Sequence, residues 1–239
     1  MSTTNAPDAT RRSGIFITFE GPDGSGKSTQ MRLLAKRLRE QGHEVLESVE
    51  PGGTPIGQQV RRILLDPANR ELCATTELLL MFAARAQNVE QWLLPALAQG
   101  QVVLSDRFTD STLAYQGAGR GLGRDTVLAV DRIACHGLVP DLTLCIDVDT
   151  ETGLARARSR NQRDANKRES RIDEHELEFH ERVRAAYHEL VQREPRRWRL
   201  IDGSGHPDAT AAKVWEEVSR FLAARKSSVI STTAKHLNP

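Results

Sequence analysis

The stretch Gly21-Pro22-Asp23-Gly24-Ser25-Gly26-Lys27-Ser28-Thr29 constrains this chain more than any other. It follows the apolar run Ile15–Phe19 and precedes the helical pattern Gln30–Ala35. It fits G-x-x-x-x-G-K-S/T, with Gly21, Gly26, Lys27 and Ser28 in the fixed places. Glycines let backbone N–H groups close around phosphate oxygens without a Cβ in the way. The N-terminus of the following helix adds a partial positive charge. Lys27 can reach β- and γ-phosphates, and the Ser28 hydroxyl can sit on Mg²⁺. Strand, loop and helix in this order imply a cradle for the phosphates of a nucleoside triphosphate such as ATP.

The rest of the composition narrows what the triphosphate serves. With 239 residues, the chain is long enough for one α/β domain with a full core. Lys+Arg is 33 against Asp+Glu 32, so no net basic field argues for nucleic acid. Cys73, Cys135 and Cys145 lie far apart, without a C-x-x-C pair, and read as reduced core thiols. No run is apolar enough to span a bilayer, so no membrane partner is expected. Residues 1–13 are polar, lack the apolar centre of a secretory signal and read as a disordered tail. These features point to the cytoplasm. His175 and His180 nearly match a zinc helix motif, but five residues of helix turn the second ring about 140° from the first.

Taken in order, strands are expected at Ile15–Glu20, Glu44–Ser48, Val102–Ser105, Leu142–Ile146 and Leu200–Ile201. Helices are expected from the loop to about Gln41, over Ile56–Leu65, over a long Thr76–Gln99 bent at Pro95, near Asp125–Cys135, over Ile172–Val191, and from a capping Asp208 to about Arg225. Leu78, Leu79, Met81, Phe82 and Val89 form the apolar side of the long helix, and Thr150 is placed to cap another. Lys226–Pro239 reads as a mobile polar tail. Alternation of strands and helices predicts an α/β fold: a doubly wound five-stranded parallel sheet with helices on both faces. Ligands in that architecture bind beyond the carboxyl ends of the strands, where Glu20–Thr29, Glu50–Thr54, Asp106-Arg107 and Asp147 all fall.

Three further groups carry chemistry. Asp106 ends an apolar strand, where a carboxylate can order Mg²⁺; the adjacent Arg107 can grip a second phosphate in a fork. The basic stretch Arg156–Arg171 is either a solvated charge run or a lid that lays arginine on a phosphoryl group in transfer and excludes water. Phe82, Arg85, Tyr115 and Gln116 can line a pocket for a planar base. Helical periodicity alone assigns Phe82 to the core, whereas Tyr115 lies in a Gly-rich segment read as a surface loop.

At this point the chain resembles the bacterial thymidylate kinase (dTMP kinase) family from Gly14 to about Ala224. The motifs that carry the likeness are F-E-G-x-D-G-x-G-K-S-T at Phe19–Thr29, E-P-G-G-T at Glu50–Thr54 and T-E-L-L-L-M-F-A-A-R-A-Q at Thr76–Gln87. D-R-F-x-D-S-x-x-A-Y-Q-G at Asp106–Gly117, P-D-L-T-L-x-I-D at Pro140–Asp147 and S-R-I-D at Ser170–Asp173 complete them.

The resemblance implies a P-loop nucleotide kinase, catalysing ATP + dTMP → ADP + dTDP with Mg²⁺ as a homodimer, and a domain over residues 14–225 with its lid at about 156–171. It assigns Gly21 to Thr29, Lys27 above all, to ATP, and Ser28 with Asp106 to the metal. Asp23, Glu50, Arg61 and Arg107 would meet the acceptor's sugar and phosphate. Phe82 would stack on thymine, Arg85 bond a base oxygen, and Thr112 and Gln116 border the base edge. Tyr115 would stand where a ribose 2′-hydroxyl would be, and Ser204–His206 would border the adenine. One branch of the family puts an arginine inside the phosphate loop; the other leaves glycine there and draws arginine from the lid. Gly24 with Arg158, Arg160 and Arg163 resembles the second branch. Family members commonly place the stacking Phe one full turn before the Arg, a place held here by Met81, so Met81 and Phe82 both remain candidates. The alternative is a deoxynucleoside or other nucleoside monophosphate kinase; acceptor arginines at 61 and 107 favour a substrate already phosphorylated.

Overall fold

The computed structural model describes residues 13–163, 171–172 and 175–235. The polar segment 1–12, the centre (164–170) of the basic stretch expected to form a lid, and residues 236–239 lie outside these, as do Ser170 and Asp173 of the S-R-I-D motif.

Five strands form one parallel sheet: β1 (Ile15–Glu20), β2 (Val45–Val49), β3 (Val102–Asp106), β4 (Leu142–Asp147) and β5 (Trp198–Asp202), in the spatial order β2-β3-β1-β4-β5. Strand β1 lies at the centre, with β3 on one side and β4 on the other. This is the point where strand order reverses and a crevice opens at the carboxyl edge. The registers Phe19↔Asp106, Val49↔Asp106 and Asp147↔Asp202 align the strand ends that feed the crevice.

Alternation along β1 divides the core into two layers. Phe16 faces a cluster with Val103 and Cys145, covered by α3 (Ala74–Asn88), α6 (Arg124–Ala134) and α8 (Leu177–Arg193). Ile17 and Phe19 face the opposite cluster, covered by α1 (Lys27–Glu40) and α9 (Pro207–Lys235). Helix α2 (Pro55–Leu65) starts at Thr54, whose Oγ1 accepts the Gly57 N–H at 3.0 Å, with Pro55 at the first helical position.

Several expectations need correction. The long helix expected over Thr76–Gln99 is α3, a π-helical turn at Val89–Leu93 and α4 (Leu94–Ala98). Pro95 lacks an N–H and crowds the preceding turn; it sits at the start of α4, where the widened turn absorbs it. Leu79, expected on the apolar side, is exposed, as is Cys73, which stands at the N-cap of α3 and not in the core. The expected Gly-rich loop is partly helical: α5 (Thr109–Thr112) continues into a π-helical segment, Leu113–Gly119. Helix α7 (Thr150–Arg163) carries helix into the basic stretch, and its first turn is capped by Asp149, whose Oδ1 accepts the Thr152 N–H at 2.8 Å. Asp208 lies within the first turn of α9 rather than capping it. That helix runs to Lys235, with no Gly or Pro to interrupt it after Pro207, so residues 226–235 continue the helix and the rest of the expected tail lies outside the described residues.

Candidate active site

The phosphate loop takes its shape from two crowded glycines. Gly21 has φ 126°, and a Cβ there would lie 2.1 Å from the Ile146 carbonyl oxygen; Gly24 has φ 72°, and a Cβ there would lie 2.0 Å from the Gly153 oxygen. Gly26 then stands at the N-cap of α1, whose first residue is Lys27. The Lys27 ammonium donates to the Pro22 carbonyl at 2.7 Å and to Ser25 Oγ at 3.5 Å. Burial, aided by the charge of Arg107, pushes its pKa down to about 8. Ser28 Oγ donates a short hydrogen bond to Asp106 Oδ2, which joins the start of α1 to the end of β3.

Arg107 leaves β3 with φ 74°, a left-handed conformation uncommon for a side chain of its size. Its N–H bonds Phe19 O at 2.9 Å, and its carbonyl accepts from Ser105 Oγ at 2.7 Å, which hold the turn. Its guanidinium meets Asp23 at 2.5 Å, Ser111 at 2.9 Å, and Tyr115 and Tyr187 at 3.1 Å each. It also lies over the Tyr115 ring, 4.7 Å from the centroid. Asp23 accepts the Tyr115 hydroxyl at 2.7 Å. Burial alone would raise the Asp23 pKa, but Arg107 and Lys27 hold it well below the usual carboxylate range.

Behind Arg107, Glu20 is fully buried and accepts from the Phe108 N–H and from the Ser111 and Tyr187 hydroxyls. Burial and the Asp110 charge raise its pKa to about 7. Glu50, beside β2, pairs through Oε2 with Arg85 Nε at 2.5 Å and accepts Asn88 Nδ2 on Oε1 at 2.9 Å. Arg85 is buried, and among the described residues its Nη1 has no hydrogen-bond partner.

One cavity of about 530 Å³ joins these groups. Gly24, Gly26, Lys27, Ser28 and Thr29 line it at the phosphate loop, and Met81, Arg85, Thr112, Tyr115 and Gln116 line it elsewhere. Asp23, Glu50, Arg61, Asp106 and Arg107 line it as well, and Arg61 Nη1 donates to the Pro51 carbonyl at 2.8 Å. The expected residues therefore converge, with exceptions. Gly21, Pro22 and Ser25 shape the loop without lining the cavity. Phe82 does not line it: its ring is core, with the Arg85 guanidinium 4.7 Å above it, and Met81 supplies the apolar surface instead. Tyr115 lines the cavity from a buried helical turn, not from a surface loop.

Of the arginines expected in a lid, Arg160 lines the cavity, exposed Arg158 does not, and the side chain of Arg163 lies outside the described set. Arg156 also lines it and donates to the carbonyls of Gly203 and Ser204 at 3.0 and 3.1 Å. Ser204–His206 are exposed and do not line the cavity.

Sequence reasoning gave no role to Asn88, Ser111, Tyr187 or Glu77. A signal existed for Glu77: a carboxylate in an otherwise apolar helical run must be paired if it is buried.

Comparisons with known proteins agree on one family. The thymidylate kinase family profile matches residues 19–214. The thymidylate kinase of Thermomicrobium roseum is 50% identical over 207 residues, covering 87% of this chain and 95% of the relative. That of Geobacter sulfurreducens is 51% identical over 202 residues, covering 84% and 94%. The crystal structure of thymidylate kinase from Ehrlichia chaffeensis superposes with TM-score 0.70 at 30% identity, over 86% of this chain and 98% of that one.

Proposed function

The chain belongs to the thymidylate kinase family, and from its cavity we propose how its residues divide the work. The reaction is transfer of the γ-phosphoryl group of ATP to dTMP, giving ADP and dTDP. The observation that carries the division of roles is the single cavity running from the phosphate loop, past Arg107, to Arg85 and Gln116.

The acceptor's phosphate oxygen is already a nucleophile, so the protein supplies position and charge rather than a general base. Lys27 and the loop amides hold the donor's β- and γ-phosphates. Arg107 and Arg61 hold the acceptor phosphate and offset repulsion between the two anions. Arg160 meets the transferred group from the lid over 156–171 of a catalytic domain at 14–225. Arg85 offers its unpartnered Nη1 to a base oxygen, Met81 covers the base, and Tyr115 borders the sugar.

Ser28 Oγ and Asp106 are hard oxygen donors in direct contact at the loop's mouth, a pair that suits Mg²⁺, which keeps waters and phosphate oxygens in its shell. When bound there, the ion would neutralise charge building on the phosphate oxygens. The deoxynucleoside kinase reading needs a free carboxylate base, and Glu50 is committed to Arg85 and Asn88.

We further place the protein in the cytoplasm as a homodimer. Exposed Leu79 and Ile133, on the mutually packed helices α3 and α6, support an interface there. A coupled assay with a panel of nucleoside monophosphates tests the assignment: dTMP should release ADP stoichiometrically with dTDP, and preference for a purine monophosphate would overturn it. Light scattering tests the dimer; a monomer mass at micromolar concentration would remove it.

A further inference from the structure

Glu77 sits on α3, fully buried, with four N–H donors on its two carboxylate oxygens. Gln116 Nε2 and Arg120 Nε reach Oε1 at 2.8 and 3.1 Å; Arg120 Nη2 and Arg171 Nη2 reach Oε2 at 2.7 and 2.6 Å. Burial opposes its charge, but the bonds from Arg120, Gln116 and Arg171 hold its pKa below the ordinary value. An ionised carboxylate can only accept. The Gln116 amide must therefore turn its NH₂ toward Glu77, because the reverse orientation would press two acceptors together in a dry site. Its carbonyl oxygen is the end left for the cavity that Gln116 lines.

We infer that Glu77 is a positioning residue that fixes the hydrogen-bonding polarity of the base end of the cavity, so that the site reads a pyrimidine carrying hydrogen on N3 and rejects one whose N3 is bare. The inference rests on the proposed placement of the acceptor's base beside Gln116. Arg85 is a permanent donor, so it suits the O4 carbonyl of a 2,4-dioxopyrimidine and repels the amino group of a 4-aminopyrimidine. A glutamine amide by itself is adaptable, since a flip would turn it from acceptor to donor and let it serve a bare N3. Glu77 removes that freedom. The two polar groups then present donor and acceptor in one fixed order, complementary to thymine and mismatched twice against cytosine.

The test compares kcat/KM for dTMP and dCMP, with saturating ATP, in the full-length protein and three variants. Glu77→Gln gives Gln116 a partner that can also donate, so the dTMP/dCMP ratio should fall about tenfold or more, with KM for ATP unchanged. If turnover of both substrates falls by one common factor and the ratio holds, Glu77 is merely structural and the inference is overturned. Glu77→Asp keeps the charge beside both arginines while withdrawing the acceptor from Gln116. It should lower the ratio in the same direction, and it carries the test where Glu77→Gln yields no folded protein. Gln116→Leu separates this inference from the placement beneath it. A wild-type ratio in Gln116→Leu overturns the base placement and the inference together. A collapsed ratio there, beside a wild-type ratio in the folded Glu77 variants, overturns the role of Glu77 alone.

Discussion

Arg107 Nη2 lies 2.5 Å from Asp23 Oδ1, and this pair ties the end of β3 to the middle of the phosphate loop. Its members come from segments that hold different substrates in the proposed mechanism, so this ion pair, with the Ser28–Asp106 bond and the Tyr115 hydroxyl, fixes the distance between donor and acceptor sites. The left-handed turn at Arg107 aims the guanidinium across the end of β1, and Glu20, Ser111 and Tyr187 hold it from behind. A backbone strained in this way persists only when its surroundings over-determine it.

Asp23→Asn should therefore weaken both fold and catalysis. The pair is only partly buried, so removing one partner should cost about 1–2 kcal/mol, less than for a fully buried pair. Urea unfolding should show a loss of that order, and KM for dTMP should rise. A variant with wild-type stability and KM would mean that Arg107 is held in place without Asp23.

Lys27→Ala should abolish turnover while leaving measurable dTMP binding, because the ammonium belongs to the donor. Near-normal turnover would remove the role assigned to it. Since the ligand-free ammonium titrates at about 8 and a polyphosphate favours its charged form, ATP affinity should decline as pH rises above that value. Each molecule bound there must first recruit a proton. Calorimetry across pH 7 to 9.5 with Lys27→Arg as the control reads this effect, and parallel curves for the two proteins would contradict it.

Tyr115 joins Asp23 and Arg107 through its hydroxyl and borders the cavity with its ring. Tyr115→Ala should narrow the preference for dTMP over its ribose counterpart in kcat/KM. Tyr115→Phe keeps the ring, so it should keep that preference while lowering overall rate. An unchanged ratio in the alanine variant would move sugar selection elsewhere.

Glu20 should make stability fall as pH rises. Its carboxyl titrates at about 7 in the fold against an ordinary 4.5, chiefly through burial. Below the lower value both folded and unfolded chains hold the proton; between the two only the folded chain does. The contribution is thus complete at low pH and is lost as pH climbs through the folded value. Unfolding free energy should drop more between pH 5 and 7.5 in wild type than in Glu20→Gln, and equal drops would exclude Glu20 as the source.

The parallel sheet was legible because runs such as Val102–Leu104 and Leu144–Ile146 are apolar without alternation, as strands buried on both faces must be. The loop was legible from its G-x-x-x-x-G-K-S/T spacing, and the carboxyl-edge segments Glu50–Thr54 and Asp106-Arg107 followed from topology. What escaped was decided by helical phase and long-range pairing. Met81 and Phe82 are adjacent, and the rotation that gives one to the cavity and the other to the core depends on how α3 seats against Leu64 and Leu65. Glycines at 117 and 119 suggested a loop, yet the segment keeps helical turns because Tyr115 buries its ring beside Phe179 and Tyr187. Glu77 received no role from the sequence because its three partners come from residues 39 to 94 positions away.

Gly24 and Gly153 meet backbone to backbone, and a side chain at either would collide with the other segment's carbonyl. The root of α7 thus rests directly on the triphosphate cradle, at the position where the resemblance places the loop arginine of the other branch. Writing a guanidinium into position 24 of this chain would dislodge a helix before it added a charge. Which branch supplies the cation is here a matter of architecture, and crossing from one to the other demands coordinated change at two distant places rather than a single substitution.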